Sequence, residues 1–132
     1  MRLLTIAALL LASCPVLAAP ALTGKWRIVS IAGAEALDVA RARAEFGKNG
    51  RFASTIGCNR IAGKPAISGE RAKFGPMMAT RMACPPPLDE TERRYLAALE
   101  AVRGYRFEGD RLIFLGDDGA ALVTLAREKY EK

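Results

Sequence analysis

The chain has 132 residues, a formal net charge of +6 and no histidine. This length allows one small domain with a single core. The lack of histidine excludes the usual serine–histidine and cysteine–histidine nucleophiles and removes the commonest metal ligand. The 20 lysines and arginines are scattered along the sequence. We therefore expect a solvated surface, or weak attraction to anionic envelope polymers and lipids, and no nucleic-acid partner.

Residues 1–18 have the form of a signal peptide. Arg2 supplies the positive charge, an apolar run of about ten residues follows, and the segment ends in small residues. The run is too short to cross a bilayer, which takes about 20 residues. Cleavage after Ala18 would release a periplasmic protein in which residues 19–21 form a short linker.

A second interpretation of the same segment is a lipoprotein signal. Residues 11–14 read Leu-Ala-Ser-Cys and resemble a lipobox. In that case residues 1–13 are removed, and lipidated Cys14 tethers the domain to a membrane. Both interpretations predict an exported protein.

Short strands dominate the rest of the chain. Alternating apolar and polar residues predict strands at residues 25–31, 42–46, 51–55, 64–67, 71–74, 105–107, 112–115 and 121–126. Asn49-Gly50 is typical of a hairpin turn. Residues 57–63 form a compact turn bounded by glycines, and residues 75–87 form an irregular loop rich in methionine and proline.

One helix is predicted after that loop. Asp89 can cap its first turn, and Glu92 stands three residues later as in a capping box, on the polar face. Tyr95 and Leu99 belong to the apolar face, and Gly104 ends the helix. The pattern predicts an α+β fold over residues 22–127: a curled, mainly antiparallel β-sheet of short strands packed on one α-helix. The charged tail, residues 128–132, follows.

Cys58 and Cys84 remain as a pair after export. An even pair in an exported protein predicts a disulfide, which would stabilise the fold by about 3–4 kcal/mol in the chain-entropy model. A redox-active pair is the alternative, but the chain has no C-x-x-C motif.

Three segments together resemble the META domain, or HslJ-like, family. They are Leu-Thr-Gly-Lys-Trp at residues 22–26, Gly-Cys-Asn-Arg-Ile-Ala-Gly at 57–63, and the stretch 74–84 that ends in Thr-Arg-Met-Ala-Cys. The resemblance implies exported or lipid-anchored bacterial domains, some of them heat-inducible and linked to antibiotic tolerance. It implies no enzymatic mechanism. By motif match, the signature residues besides the cysteines are Trp26, Gly57, Asn59, Gly63 and Thr80.

These signature residues are expected to serve the architecture. Asn59 can hold a left-handed backbone or cap a neighbouring strand, and Thr80 can bond to nearby backbone.

The acidic residues offer little catalytic chemistry. Asp110, Asp117 and Asp118 stand beside glycines, which favours hairpin turns over a calcium site. Glu90 and Glu92 fit a helix N-terminus better than a pair of catalytic carboxylates. We expect no catalytic residue, no metal site and no cofactor.

A binding surface is the remaining possibility. Its candidate residues lie in or beside the 75–87 loop: Arg60, Met77, Met78, Arg81 and Met82. For Met77, Met78 and Met82, filling of the core under the loop is favoured over a binding role, and a soft-metal site is a further alternative.

The expected function is that of a monomeric, non-enzymatic envelope domain. It would support stress or antibiotic tolerance by binding an envelope protein or another envelope component. The alternatives are a carrier of a lipid-like small ligand, which needs an apolar cavity, and an inhibitor of a secreted hydrolase that inserts Arg60 or Arg81 into an acidic cleft.

Overall fold

The computed structural model describes residues 21–35 and 40–129. The predicted signal peptide with Cys14, and the last three residues of the charged tail, lie outside the described residues. Within those ranges, no helix is long and apolar enough to span a membrane.

The described residues form one curled antiparallel sheet and one helix. In chain order the elements are β1 (Gly24–Ile31), β2 (Ala34–Glu35), β3 (Arg43–Phe46), β4 (Phe52–Thr55), β5 (Arg60–Gly63), β6 (Ala66–Ser68), β7 (Arg71–Lys73), β8 (Met78–Ala79), α1 (Leu88–Ala101), β9 (Gly104–Glu108), β10 (Arg111–Leu115) and β11 (Ala121–Arg127). Ten strands follow one path, β6-β7-β9-β10-β11-β1-β3-β4-β5-β8, and β2 pairs with β1. The sheet forms a half-barrel, which confirms the predicted α+β fold.

The two faces of the sheet follow from the alternation in its strands. In β1, Trp26 and Ile28 are buried, whereas Arg27 between them and Lys25 before them are exposed. Strands β3, β4, β5 and β7 repeat this pattern because successive side chains of a strand point to opposite faces. One face therefore lines the interior, against which α1 packs through β11 and β1, and the other is the outer face.

Aromatic side chains fill the interior. Phe46, Phe52, Phe74 and Phe114 contact one another with ring centroids 4.9–6.4 Å apart, within the range of favourable aromatic pairs. Each of the four is at most 3 % exposed. The inner side of the half-barrel is thus a packed core.

The helix begins earlier than predicted and is capped differently. Its N-cap is Pro87, and no side chain caps it. Asp89 lies inside the first turn, where its carboxylate accepts a hydrogen bond from the Glu90 N–H at 2.7 Å. The first helical N–H groups have no partner within a helix, so proline is tolerated there. The helix ends at Ala101, and Gly104 begins β9 instead of ending the helix.

Two predicted irregular segments contain strands. Arg60–Gly63, the second half of the predicted turn, is β5 and pairs with β4. Met78–Ala79, inside the predicted loop, is β8 and pairs with β5 through Ala62 opposite Met78. Both strands are short. Strand β5 follows its partner β4 closely in the chain, whereas β8 depends on a partner more distant in sequence.

The Tyr95 hydroxyl forms a hydrogen bond inside the core, and its contribution to stability can be measured. It is fully buried, and its hydroxyl lies 2.7 Å from the Ser54 hydroxyl, which itself donates to the Arg43 carbonyl. Burial raises the pKa of Tyr95 above its ordinary value of 10.0. We expect Tyr95→Phe to lower the free energy of unfolding by about 1 kcal/mol at pH 7, the usual net value of one hydrogen bond.

The same substitution should remove a pH dependence. Above pH 10 the unfolded state ionises Tyr95 and the native state does not, so the wild type should lose about 1.4 kcal/mol per pH unit from this group. The difference in free energy of unfolding between the wild type and Tyr95→Phe, measured by urea unfolding, should therefore disappear near pH 11. Tyr105→Phe, which removes an exposed hydrogen bond to the Gly69 carbonyl, is the matched control, and a constant Tyr95→Phe deficit from pH 7 to 11 would contradict the expectation.

Candidate functional site

Asn59 joins the start of β5 to the 75–87 loop. It is 4 % exposed. Its amide oxygen accepts hydrogen bonds from the Met82 N–H at 2.7 Å and the Thr80 hydroxyl at 3.1 Å. Its amide nitrogen donates to the Met82 carbonyl at 3.3 Å and to Glu92 Oε2 at 2.6 Å. The side chain thereby holds the loop and the helix together. Asn59 acts by capping, one of its two predicted roles; its backbone is not left-handed.

Glu92 completes this network from the helix. Its Oε1 accepts from the Asn59 backbone N–H at 3.0 Å, and the residue is only 8 % exposed. The predicted place of Glu92 on the polar face was wrong, because the buried amide of Asn59 satisfies the carboxylate where water would otherwise be needed. A signal for this existed in the sequence: Glu92 lies three and seven residues before Tyr95 and Leu99, on the face that packs inward.

Thr80 extends the pairing of β5 and β8. Its hydroxyl accepts a hydrogen bond from the Arg60 N–H at 2.9 Å, and its own N–H donates to the Arg60 carbonyl at 3.0 Å. Gly63 permits the loop to approach closely, because a Cβ there would lie 2.5 Å from the Met77 sulfur. These two signature residues fix the path of the loop along β5.

The Cys58 and Cys84 sulfurs are bonded to each other, as predicted, with Cα atoms 6.0 Å apart. The bond lies beside the Asn59 network, since the Asn59 amide nitrogen is 3.3 Å from the Cys84 sulfur. The two sulfurs and the Glu92 carboxylate lie within 4.8 Å of one another, close enough to bind one metal ion together. Cysteine binds metals as a thiolate, and the disulfide contains no thiolate.

Trp26 belongs to a separate part of the fold. Its indole N–H donates to the Leu22 carbonyl at 2.8 Å, and the Arg127 guanidinium lies 4.1 Å from the ring centroid. Arg127 also donates to the Thr23 and Ala21 carbonyls. Trp26 therefore fixes the segment that enters β1.

The predicted binding residues divide into two groups. Met77 is half-buried against the core, so for this side chain the core-filling alternative applies. Met78 and Met82 are 80 % and 59 % exposed, and Arg60 and Arg81 are exposed as well. We call Arg60, Met78, Arg81 and Met82 the Met-loop surface.

The profile of the META domain family matches residues 19–129. The chain belongs to the META domain family. No curated protein matches the sequence. Solved structures share the fold of this META domain. The NMR structure of a protein from Burkholderia xenovorans has a TM-score of 0.64 at 23 % identity. The match covers 89 % of this chain and 99 % of that protein's chain. The crystal structure of a DUF4847 family protein from Bacteroides vulgatus has a TM-score of 0.61 at 13 % identity. The match covers 83 % of this chain and 96 % of that protein's chain.

The signature residues of this META domain have a structural role. Every polar atom of the Asn59 amide is hydrogen-bonded, both Glu92 oxygens are occupied, and both sulfurs are in a disulfide. The network presents no free nucleophile. Its effect is to hold the 75–87 loop, and with it the Met-loop surface, in one conformation.

Proposed function

We propose that this META domain is a non-enzymatic, exported binding domain of the cell envelope. It supports tolerance to stress or antibiotics by binding another envelope protein through its Met-loop surface. The chain has no histidine, and the signature residues serve to position a loop. Function of this kind belongs to loops held by a rigid scaffold.

The exposure of Met78 and Met82 carries the proposal. Among the described residues three large apolar side chains are exposed, and two of them lie in this one loop; the third is Ile67. Exposed apolar area is costly in water, and its burial against a partner contributes about 25 cal/mol per Å². Methionine suits such a contact because its flexible side chain adapts to a partner's surface.

The packed interior disfavours the carrier alternative. A lipid-like ligand would have to occupy the inner side of the half-barrel, where Phe46, Phe52, Phe74 and Phe114 contact one another. Displacing them would require rearrangement of the core. A partner bound on the surface requires none.

The Met-loop surface can be tested by crosslinking. A photo-crosslinking amino acid at position 82, expressed in the native host, should give one discrete adduct in the envelope fraction. The same amino acid at position 67 is the matched control, because Ile67 is exposed on the sheet edge formed by β6 at the far end of the strand path from β8. Identical adducts at both positions, or none at position 82, would contradict the proposal.

A growth assay links the same surface to tolerance. We expect Met78→Gln/Met82→Gln to lose complementation of a deletion strain under heat or antibiotic, while Ile67→Gln retains it. Both variants replace exposed side chains, so each should keep the wild-type stability within about 0.5 kcal/mol. Full complementation by the double variant would exclude the Met-loop surface as the site of function.

Inhibition of a secreted hydrolase is a second candidate, favoured by one observation. Arg81 is exposed between Thr80 and Met82, both of which Asn59 holds in place. A rigid loop that presents a basic side chain can enter an acidic cleft with little loss of entropy. The wild type should then slow a lysozyme or periplasmic protease at micromolar concentration and Arg81→Ser should not; a panel without inhibition removes this candidate.

A further inference from the structure

The outer face of the sheet carries a row of arginines that crosses six strands. Cα pairing places these residues opposite one another in turn: Arg111 on β10, Ala126 on β11, Arg27 on β1, Arg43 on β3, Thr55 on β4 and Arg60 on β5. Strands lie about 4.8 Å apart, so the row is about 24 Å long. The basic residues, scattered in the sequence, are thus brought together by the fold.

The charges of this row are largely uncompensated. The side chains of Arg27, Arg60 and Arg111 form no ion pair or hydrogen bond with any other described residue, and Arg43 has one exposed ion pair, with Glu128 at 3.2 Å. Arg27 and Arg43 are directly opposite each other. Like charges in that position destabilise a sheet, so the fold bears a cost that a neutral residue would avoid.

A groove runs along the part of the row from Arg27 to Arg60. One part has a volume of about 440 Å³. In it Thr55 lies between Arg43 and Arg60, and the neighbouring row adds the small side chains Ala53 and Ala62, with Glu45 opposite Ala53. The adjoining part has a volume of about 750 Å³ and is lined by five basic and two acidic residues: Lys25, Arg27, Arg43, Arg127, Lys129, Asp110 and Glu128. The two parts share Lys25, Arg43 and Glu128. We call them together the outer-face groove.

We propose that the outer-face groove binds a linear anionic glycan that carries carboxylate or phosphate groups along its length. Guanidinium groups match both anions through paired hydrogen bonds. The groove extends over β1, β3, β4 and β5, as a polymer strand requires. The strands under it are paired on both sides, so no free backbone edge is available for a peptide to join as a strand.

The choice of a glycan rests on the envelope location in the proposed function. The Met-loop surface adjoins one end of the groove, because Arg60 belongs to both and Met78 on β8 is opposite Ala62. The charges tested here, Arg27 and Arg43, lie on β1 and β3 rather than on the 75–87 loop. The Met78→Gln/Met82→Gln variant should therefore bind the glycan as the wild type does. If the glycan does not bind, the crosslinking result at position 82 still stands. If position 82 gives no adduct, the glycan-binding result still stands.

The test uses polygalacturonate as the anionic glycan and compares two double variants by titration calorimetry. Arg27→Ser/Arg43→Ser should weaken binding about tenfold, and the affinity of the wild type should fall steeply with salt, as counterion release requires. Arg93→Ser/Arg94→Ser is the matched control: it removes two charges and one exposed ion pair, Arg94–Glu90, from the helix, and should change binding less than twofold. Both variants should melt within a few degrees of the wild type.

Polyglutamate and vesicles of anionic phospholipid are the competing probes. Equal weakening in the two double variants would mean that net charge alone is responsible and would overturn the proposal. So would the absence of binding by the wild type, or tighter binding of polyglutamate or vesicles than of polygalacturonate.

Discussion

Replacement of Cys58 and Cys84 by alanine should lower the free energy of unfolding by about 3–4 kcal/mol, because the disulfide closes a loop across a sequence separation of 26 residues. The open chain gains conformational freedom only in the unfolded state. The native fold should persist, since the hydrogen bonds of Asn59 to Glu92 and Met82 do not depend on the sulfurs. Urea unfolding of the oxidised wild type and the double variant, each extrapolated with its own m-value, measures the difference.

Reduction of the wild type provides the control for this prediction. The reduced protein should unfold at the same urea concentration as the alanine variant, because both lack the same covalent constraint. A loss below about 1 kcal/mol in both would contradict the entropic argument. It would mean that the unfolded chain already holds residues 58 and 84 close together.

The sequence was sufficient for most of the sheet and for the disulfide. Strand β3 alternates buried and exposed residues strictly, and β1 does so up to Ile28, as in Trp26, Arg27 and Ile28. This alternation depends only on strand geometry. The Cys58–Cys84 pair followed from the expected export, which leaves these two of the three cysteines to pair. The helix was located by the spacing of Tyr95 and Leu99.

Features that depend on distant partners were not accessible in this way. Strand β8 has two residues and exists only because β5 lies beside it. Glu92 was assigned to solvent because its partner, Asn59, is 33 residues away in the chain. The row of arginines required the order of strands: alternation places Arg27 and Arg43 on an outer face, but only the pairing of β1 with β3 places them opposite each other.

The substitution Asn59→Asp should be at least as damaging as loss of the disulfide, at about 3–5 kcal/mol near pH 7. It preserves the size and shape of the side chain and exchanges the amide nitrogen for an oxygen. That oxygen would face Glu92 Oε2, now 2.6 Å from the nitrogen, and the Met82 carbonyl at 3.3 Å. Two donated hydrogen bonds become contacts between acceptors, and a buried charge without a partner costs several kcal/mol. Asn49→Asp, at an exposed turn, is the control and should change stability by less than about 0.5 kcal/mol.

The pH dependence and a second substitution identify the cause. Two carboxylates in contact cannot both stay ionised, so a proton taken up by the pair restores one donor. The native variant then holds a proton that its unfolded state releases above about pH 4. The deficit of Asn59→Asp should accordingly be smallest near pH 4 and grow as the pH rises, by up to about 1.4 kcal/mol per unit.

Glu92→Gln in the Asn59→Asp background should recover part of the loss at pH 7. The amide introduced at position 92 can donate to the new carboxylate and still accept from the backbone N–H of residue 59, which in the wild type donates to Glu92 Oε1 at 3.0 Å. The four proteins form a double-mutant cycle, in which contacting residues give a coupling of about 0.5–3 kcal/mol. If the losses in free energy of unfolding are additive in the double variant, Asn59 and Glu92 stabilise the loop independently. A coupling energy between them, together with the pH dependence, would mean that they act as one network that fixes the 75–87 loop to the helix.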